Sequence, residues 1–149
     1  MRCVIVYTSV HHHNTEKVAR AMAGALDAGV VRTAEATEEA VISADLAGFG
    51  SGIYFGTHHK GLLSFAESLP MKRDGRAFIF STSGNGSMRS HRRLRDLLSA
   101  RGYEIVGEFA CKGWDSYSVL RLVGGINKGR PNGEDLERAA AFASGLVPT

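Results

Sequence analysis

The sequence predicts a doubly wound α/β fold, a parallel sheet covered on both faces by helices. Three observations carry this expectation. Short apolar runs alternate with amphipathic stretches from one end of the chain to the other. The strongest of those runs, Val4-Ile5-Val6 and Ala77-Phe78-Ile79-Phe80, are continuous rather than alternating, as strands buried on both faces must be. No repeat, linker or low-complexity tract divides the 149 residues, a length that suits one domain with a full core.

Taken in order, the first strand covers about Cys3–Tyr7. The first helix follows from Thr15, with Val18, Met22 and Leu26 on one face and Gly29 as its stop. A second strand at Val30–Ala34 carries Arg32 and Thr33, which suits a sheet edge. Thr37 caps a short helix reaching Ile42. Leu46–Ser51 makes the third strand, and a helix over Leu62–Leu69 ends at Pro70. The fourth strand is Arg76–Ser81. A helix over Ser90–Arg101 turns Leu94, Leu97 and Leu98 inward and stops at Gly102. Tyr103–Ala110 is the fifth strand, and the last helix runs from Glu134 to Ser144 on a stripe of Leu136, Ala139, Ala140 and Ala143.

Composition is ordinary for a globular chain, with 44% hydrophobic and 22% charged residues. No run approaches the roughly 20 apolar residues of a membrane span, and Met1-Arg2 leads straight into a strand without a signal-peptide pattern. Cys3 and Cys111 sit in apolar runs and read as buried free thiols of a reducing cytoplasm. A net charge of +3 is too small an excess to imply nucleic acid. Its main cluster, His91-Arg92-Arg93-Leu94-Arg95, has no interleaved aromatics for base stacking, and a solvated helix face or an acidic protein partner explains it as well.

Sheets of this kind bind ligands beyond the carboxyl ends of their strands, which points to the loops 8–14, 52–61, 81–89 and 111–133. The first is the most informative. A strand breaks into Thr8-Ser9-Val10-His11-His12-His13-Asn14-Thr15 and feeds a helix, so that backbone N–H groups and the positive end of a helix dipole gather in one small volume. Hydroxyls of Ser9 and Thr15 and the amide of Asn14 add donors, and a phosphate monoester suits that set. The last loop is too long for a simple connection and is a candidate functional excursion.

Three stretches then carry a resemblance to the short-chain flavodoxin family that spans the whole chain. Ser9–Thr15 is similar to that family's FMN-phosphate loop, Gly50-Ser51-Gly52-Ile53-Tyr54-Phe55-Gly56-Thr57 to its first flavin-ring loop, and Ser81-Thr82-Ser83-Gly84-Asn85-Gly86 stands in place of the second. The resemblance implies a five-stranded sheet in the order 2-1-3-4-5 within a three-layer sandwich, and FMN as cofactor. It implies a phosphate held by Ser9, His11, Asn14 and Thr15. Tyr54, Phe55, Gly56 and Thr57 would flank the isoalloxazine, with an aromatic ring to stack and a Gly56 peptide free to turn. The small residues Ser81, Thr82, Ser83, Gly84, Asn85 and Gly86 would offer flexible backbone donors to its pyrimidine edge. That loop lacks the family's aromatic, and Trp114 is the candidate cover for the ring's outer face. His13 stands where the family commonly has Gly.

The function expected from this is FMN-dependent electron transfer between redox partner proteins. The alternative is a small FMN-dependent oxidoreductase acting directly on a quinone, porphyrinogen or similar substrate. No Ser/His/Asp or Cys/His nucleophile set is evident, so no catalytic residue is assigned. A phospho-receiver module shares the architecture but needs acidic residues at strand ends, where this chain has Tyr7-Thr8. Five of the six histidines, His11, His12, His13, His58 and His59, follow the first and third strands. They lack the partners of familiar metal sites, and no metal is expected. Protonated near pH 6.5, they would favour a reduced anionic flavin.

Overall fold

In the computed structural model, which describes residues 1–10, 13–113 and 129–148, the apolar runs form the sheet they predict. The strands β1 (Cys3–Thr8), β3 (Leu46–Tyr54) and β5 (Gly75–Ser83) make its centre, and β2 (Gly29–Arg32) and β6 (Tyr103–Lys112) its edges. These five pair parallel in the order β2-β1-β3-β5-β6. A two-residue strand, β4 (Thr57–His58), returns antiparallel on the end of β3. With that short return set aside, the order is the expected one.

Alternation along the strands divides the core. Ile5, Tyr7, Phe78, Phe80 and Phe109 pack with Val18, Ala19 and Met22 of α1 (Asn14–Leu26) and with Ala139 and Ala143 of α5 (Gly133–Ser144). On the other face, Val6, Phe49 and Ile79 meet Val41 of α2 (Glu38–Ile42), Leu62 and Ala66 of α3 (Lys60–Ser68), and Leu94 and Leu98 of α4 (Arg92–Ala100). Glycine thins β3 where the aromatic strand beside it is thickest. Gly48 and Gly50 are register partners of Phe78 and Phe80. A Cβ at either position would sit 2.2 or 2.3 Å from the facing ring, so the two rings occupy the space the glycines leave.

Several boundaries differ from expectation for local reasons. The first helix stops at Asp27, which takes a left-handed conformation (φ 53°) and donates its N–H to Ala23, before Gly29 is reached. Strand β2 ends at Arg32 because Thr33–Glu35 winds into a 3-10 turn, and the Thr33 hydroxyl bonds that of Thr8 at 2.7 Å. Thr37 does cap α2, accepting from the Ala40 N–H. Strand β3 continues three residues beyond Ser51 because β4 pairs with Ile53 and Tyr54. The helix expected from Ser90 starts at Arg92, after a 3-10 turn over Met88–His91. Both cysteines are buried and free, and desolvation lifts the Cys111 thiol to about 12.

Candidate functional site

The loop after β1 enters α1 through His13, whose φ of 56° and ψ of 27° lie in the left-handed region. That is the conformation glycine adopts without cost, so a Gly in the same place would be easily tolerated. His13 gives α1 no side-chain cap; instead Ser9 Oγ accepts the Glu16 N–H at 3.3 Å, and the Lys17 N–H bonds the His13 carbonyl. Ser9 is therefore held against the positive end of the helix. Glu16 faces outward, paired with Arg20 at 3.0 Å, and the Arg20 hydrogen bond holds its carboxyl below the usual range.

The start of α1 is also where the strand ends converge. Thr15 Oγ1 lies 2.9 Å from Thr82 Oγ1 at the end of β5, and both residues are buried. One hydroxyl of such a pair donates to the other, which leaves the acceptor's own proton available. Gly113, just past β6, approaches so closely that a Cβ there would lie 2.7 Å from Asn14 Nδ2, and its N–H donates to Ser83 O at 3.0 Å. Ser9, Asn14, Thr15, Thr82 and Ser83, expected in two separate loops, thus meet at one end of the sheet. His11 and Trp114 lie outside the described residues, as does most of the 112–133 excursion.

The expected first ring loop is a tight hairpin. Tyr54 and Thr57 pair across a turn whose central residues, Phe55 and Gly56, have φ of 53° and 79°. Positive φ at both positions marks the turn type that best joins two twisted antiparallel strands. Phe55 is 97% exposed, a large aromatic in a conformation unfavourable to it. Tyr54 folds back toward Gly52 and meets the His59 ring edge-on at 5.3 Å.

The expected second ring loop is less free than its composition suggests. Ser81 and Thr82 are still strand residues, buried on opposite faces. Beyond them, Ser83 Oγ accepts the Gly86 N–H, and Asn85 Oδ1 accepts from the Ser83 hydroxyl and the Ser87 N–H. The flexible donors anticipated here are in part engaged within the loop, which is held in a fixed shape around Gly86 (φ 64°).

Beneath this loop lies a polar cluster that no spacing in the chain announces. His91 is fully buried, with Nδ1 2.9 Å from Glu108 Oε1 and Nε2 2.7 Å from Ser81 Oγ. Arg95 clasps Glu108 with two bonds of 2.8 and 2.9 Å. Desolvation pushes the Glu108 carboxyl up, but the hydrogen bonds from Arg95 and His91 outweigh it and hold the group ionised. A carboxylate only accepts, so His91 Nδ1 carries the proton and Nε2 accepts from the Ser81 hydroxyl. The arrangement is that of a Ser–His–Glu series, which the sequence reading did not find, but Ser81 is wholly buried and out of reach of a substrate. It ties β5, β6 and α4 together instead.

The ring of His58 lies 5.0 Å from that of His91, with Nε2 3.0 Å from the Phe80 carbonyl. Burial drives His58 down to about 4, and desolvation also lowers His59. His58 is therefore neutral near pH 6.5, which corrects the expectation that it charges there, and His59 is displaced in the same direction. Among the described residues no group of three or more metal-ligating side chains occurs.

No family model matches the chain. It is 43% identical over 149 residues to an uncharacterized protein of Methanocaldococcus jannaschii, covering 99% of both. The two belong to one family. Among solved structures, Flavodoxin 2 from Bacillus cereus superposes with a TM-score of 0.71 at 18% identity, covering 98% of this chain and 97% of that one. A short-chain flavodoxin associated with a non-canonical PDU bacterial microcompartment gives 0.72 at 17% identity, covering 99% and 97%. At these identities the likeness establishes the fold, which is flavodoxin-like. Among the described residues no helix is long and apolar enough to cross a membrane.

Proposed function

We propose that this protein binds FMN at the carboxyl end of β1, β3 and β5 and carries electrons between redox partner proteins. The observation that carries the reading is the Thr15–Thr82 contact, which seats the amino end of α1 over the strand that leads to the second ring loop. The donor set suits the cofactor. Ser9, Asn14 and Thr15, together with the first N–H groups of α1, would hold the phosphate dianion, favoured there by the helix dipole. Phe55 and Tyr54 offer aromatic faces on one side, with Gly56 and Thr57 beside them, and the loop Ser83–Gly86 offers a polar edge on the other. The flavin would supply the redox chemistry, and the protein would orient it and exclude water from it.

Two of the described groups beside such a site offer it little acid–base chemistry. His58 is held neutral by burial, and the Ser81 hydroxyl is already committed to His91. Both facts suit a carrier better than an enzyme that must move protons on a substrate. The visible absorption spectrum of the purified protein tests the proposal. Flavin bands that persist through gel filtration, with 1:1 stoichiometry, support it. Turnover of a quinone or porphyrinogen by the isolated protein would assign the enzymatic role instead.

A further inference from the structure

The basic run that stood out in the sequence does not form one face. His91 is buried, Arg95 turns to Glu108, and Arg92 approaches Asp96 at 3.9 Å. Arg89 and Arg93 form no ion pair among the described residues. Both line a groove of about 580 Å³ whose other walls include Glu67 of α3, Leu97 of α4, and Gly56 and Thr57 of the hairpin. Met88, the residue before Arg89, is 50% exposed.

We propose that this groove is the docking site of an acidic redox protein. This rests on the electron-transfer reading, and it names the chemistry of the partner. Arg89, Arg92 and Arg93 outnumber the two carboxylates of the groove, Glu67 and Asp96, and leave a local positive excess that a carboxylate-rich surface would neutralise. Arginine forks bind carboxylates in pairs. Arginine and methionine are enriched at protein interfaces, and Leu97 and Met88 supply apolar contact. Glu67 and Asp96 interrupt the positive wall, which disfavours a polyphosphate chain, and no aromatic lines the groove to stack a base. The hairpin is shared between the groove and the candidate ring site, so a protein seated here would bring its redox centre to the flavin edge.

Chemical-shift mapping of the isotope-labelled full chain, with and without FMN, tests this. The probes are a small acidic iron–sulfur protein, a basic c-type cytochrome and a single-stranded oligonucleotide. The acidic probe should perturb residues 56–57, 67 and 88–97. Its binding should weaken roughly 10-fold in the Arg89→Glu/Arg93→Glu double variant, and severalfold when salt rises from about 0.05 to 0.2 M. Arg73→Glu, an exposed charge at the amino end of β5, should leave it within about 2-fold; the amide spectra show whether each variant is folded. The proposal is overturned if the acidic probe leaves the groove silent, if Arg73→Glu weakens it equally, or if the cytochrome or the oligonucleotide binds the groove more tightly. Perturbation of the groove in a protein that takes up no FMN would remove the flavin reading and keep the docking site. FMN uptake with a silent groove would do the reverse.

Discussion

Phe55 gives the sharpest single test, because stability and binding should move in opposite directions. At 97% exposure its ring contributes almost no packing to the fold, while its φ of 53° places a bulky side chain in the left-handed region. That conformation costs about 1–2 kcal/mol for an ordinary residue and much less for asparagine. Phe55→Asn creates the Asn-Gly pair that such a turn favours and should stabilise the fold by about 1 kcal/mol. With an unfolding entropy of about 2.1 cal/mol/K per residue, a chain of 149 residues gains roughly 3 °C in Tm. FMN should bind about 2- to 13-fold more weakly, since an aromatic stack is worth about 0.5–1.5 kcal/mol beyond the area it covers. Calorimetric melting of the flavin-free protein and fluorescence titration with FMN read the two effects. A lowered Tm would refute the strained, unpacked hairpin tip; an unchanged FMN affinity would refute the stacking role.

Three other perturbations address the scaffold. His91→Ala removes the link between Ser81 and Glu108 in the interior and should cost about 3 kcal/mol, or roughly 10 °C in Tm; a loss under about 2 °C in thermal melts would mean that the cluster holds nothing together. Asp135 is buried and bonded first to Arg130, then to the Asn132 N–H and Arg138, which lower its pKa from 3.8 to about 2. Its contribution is complete above the unfolded value and disappears as pH falls through the folded one. Asp135→Asn should therefore lower stability by about 2 kcal/mol at pH 7 and by almost nothing near pH 2, as urea unfolding across that range will show. Gly48→Ala drives a methyl into the Phe78 ring and should destabilise by about 1–3 kcal/mol, with Phe78→Leu restoring part of the loss in a double-mutant cycle.

The sheet was legible because burial on both faces writes itself as unbroken apolar runs, as at Val4–Val6 and Ala77–Phe80. The loops that meet at the carboxyl ends were legible from small polar residues beside a helix start. The hairpin was not, since Tyr54-Phe55-Gly56-Thr57 has glycine at only one of its two positive-φ positions and puts a phenylalanine at the other. The Ser81–His91–Glu108 cluster was hidden for a different reason. Its members stand 10 and 17 residues apart on three elements, and His91 reads in the chain as part of a basic surface. Likewise, nothing in the order of Ser83, Asn85 and Gly86 shows that a loop of small residues closes on its own side chains. The arginine groove emerges only when α3 and α4 are set side by side.

The claim on which the account depends is that the amino end of α1 holds a phosphate carried by a flavin. Isothermal calorimetry of the flavin-free protein against FMN and against riboflavin, which lacks only that phosphate, measures it directly. One FMN should bind per chain, with an affinity at least about 100-fold above that for riboflavin, as a dianion at a helix start with added hydroxyl donors requires. Equal affinity for the two flavins, or no heat with either, would contradict it.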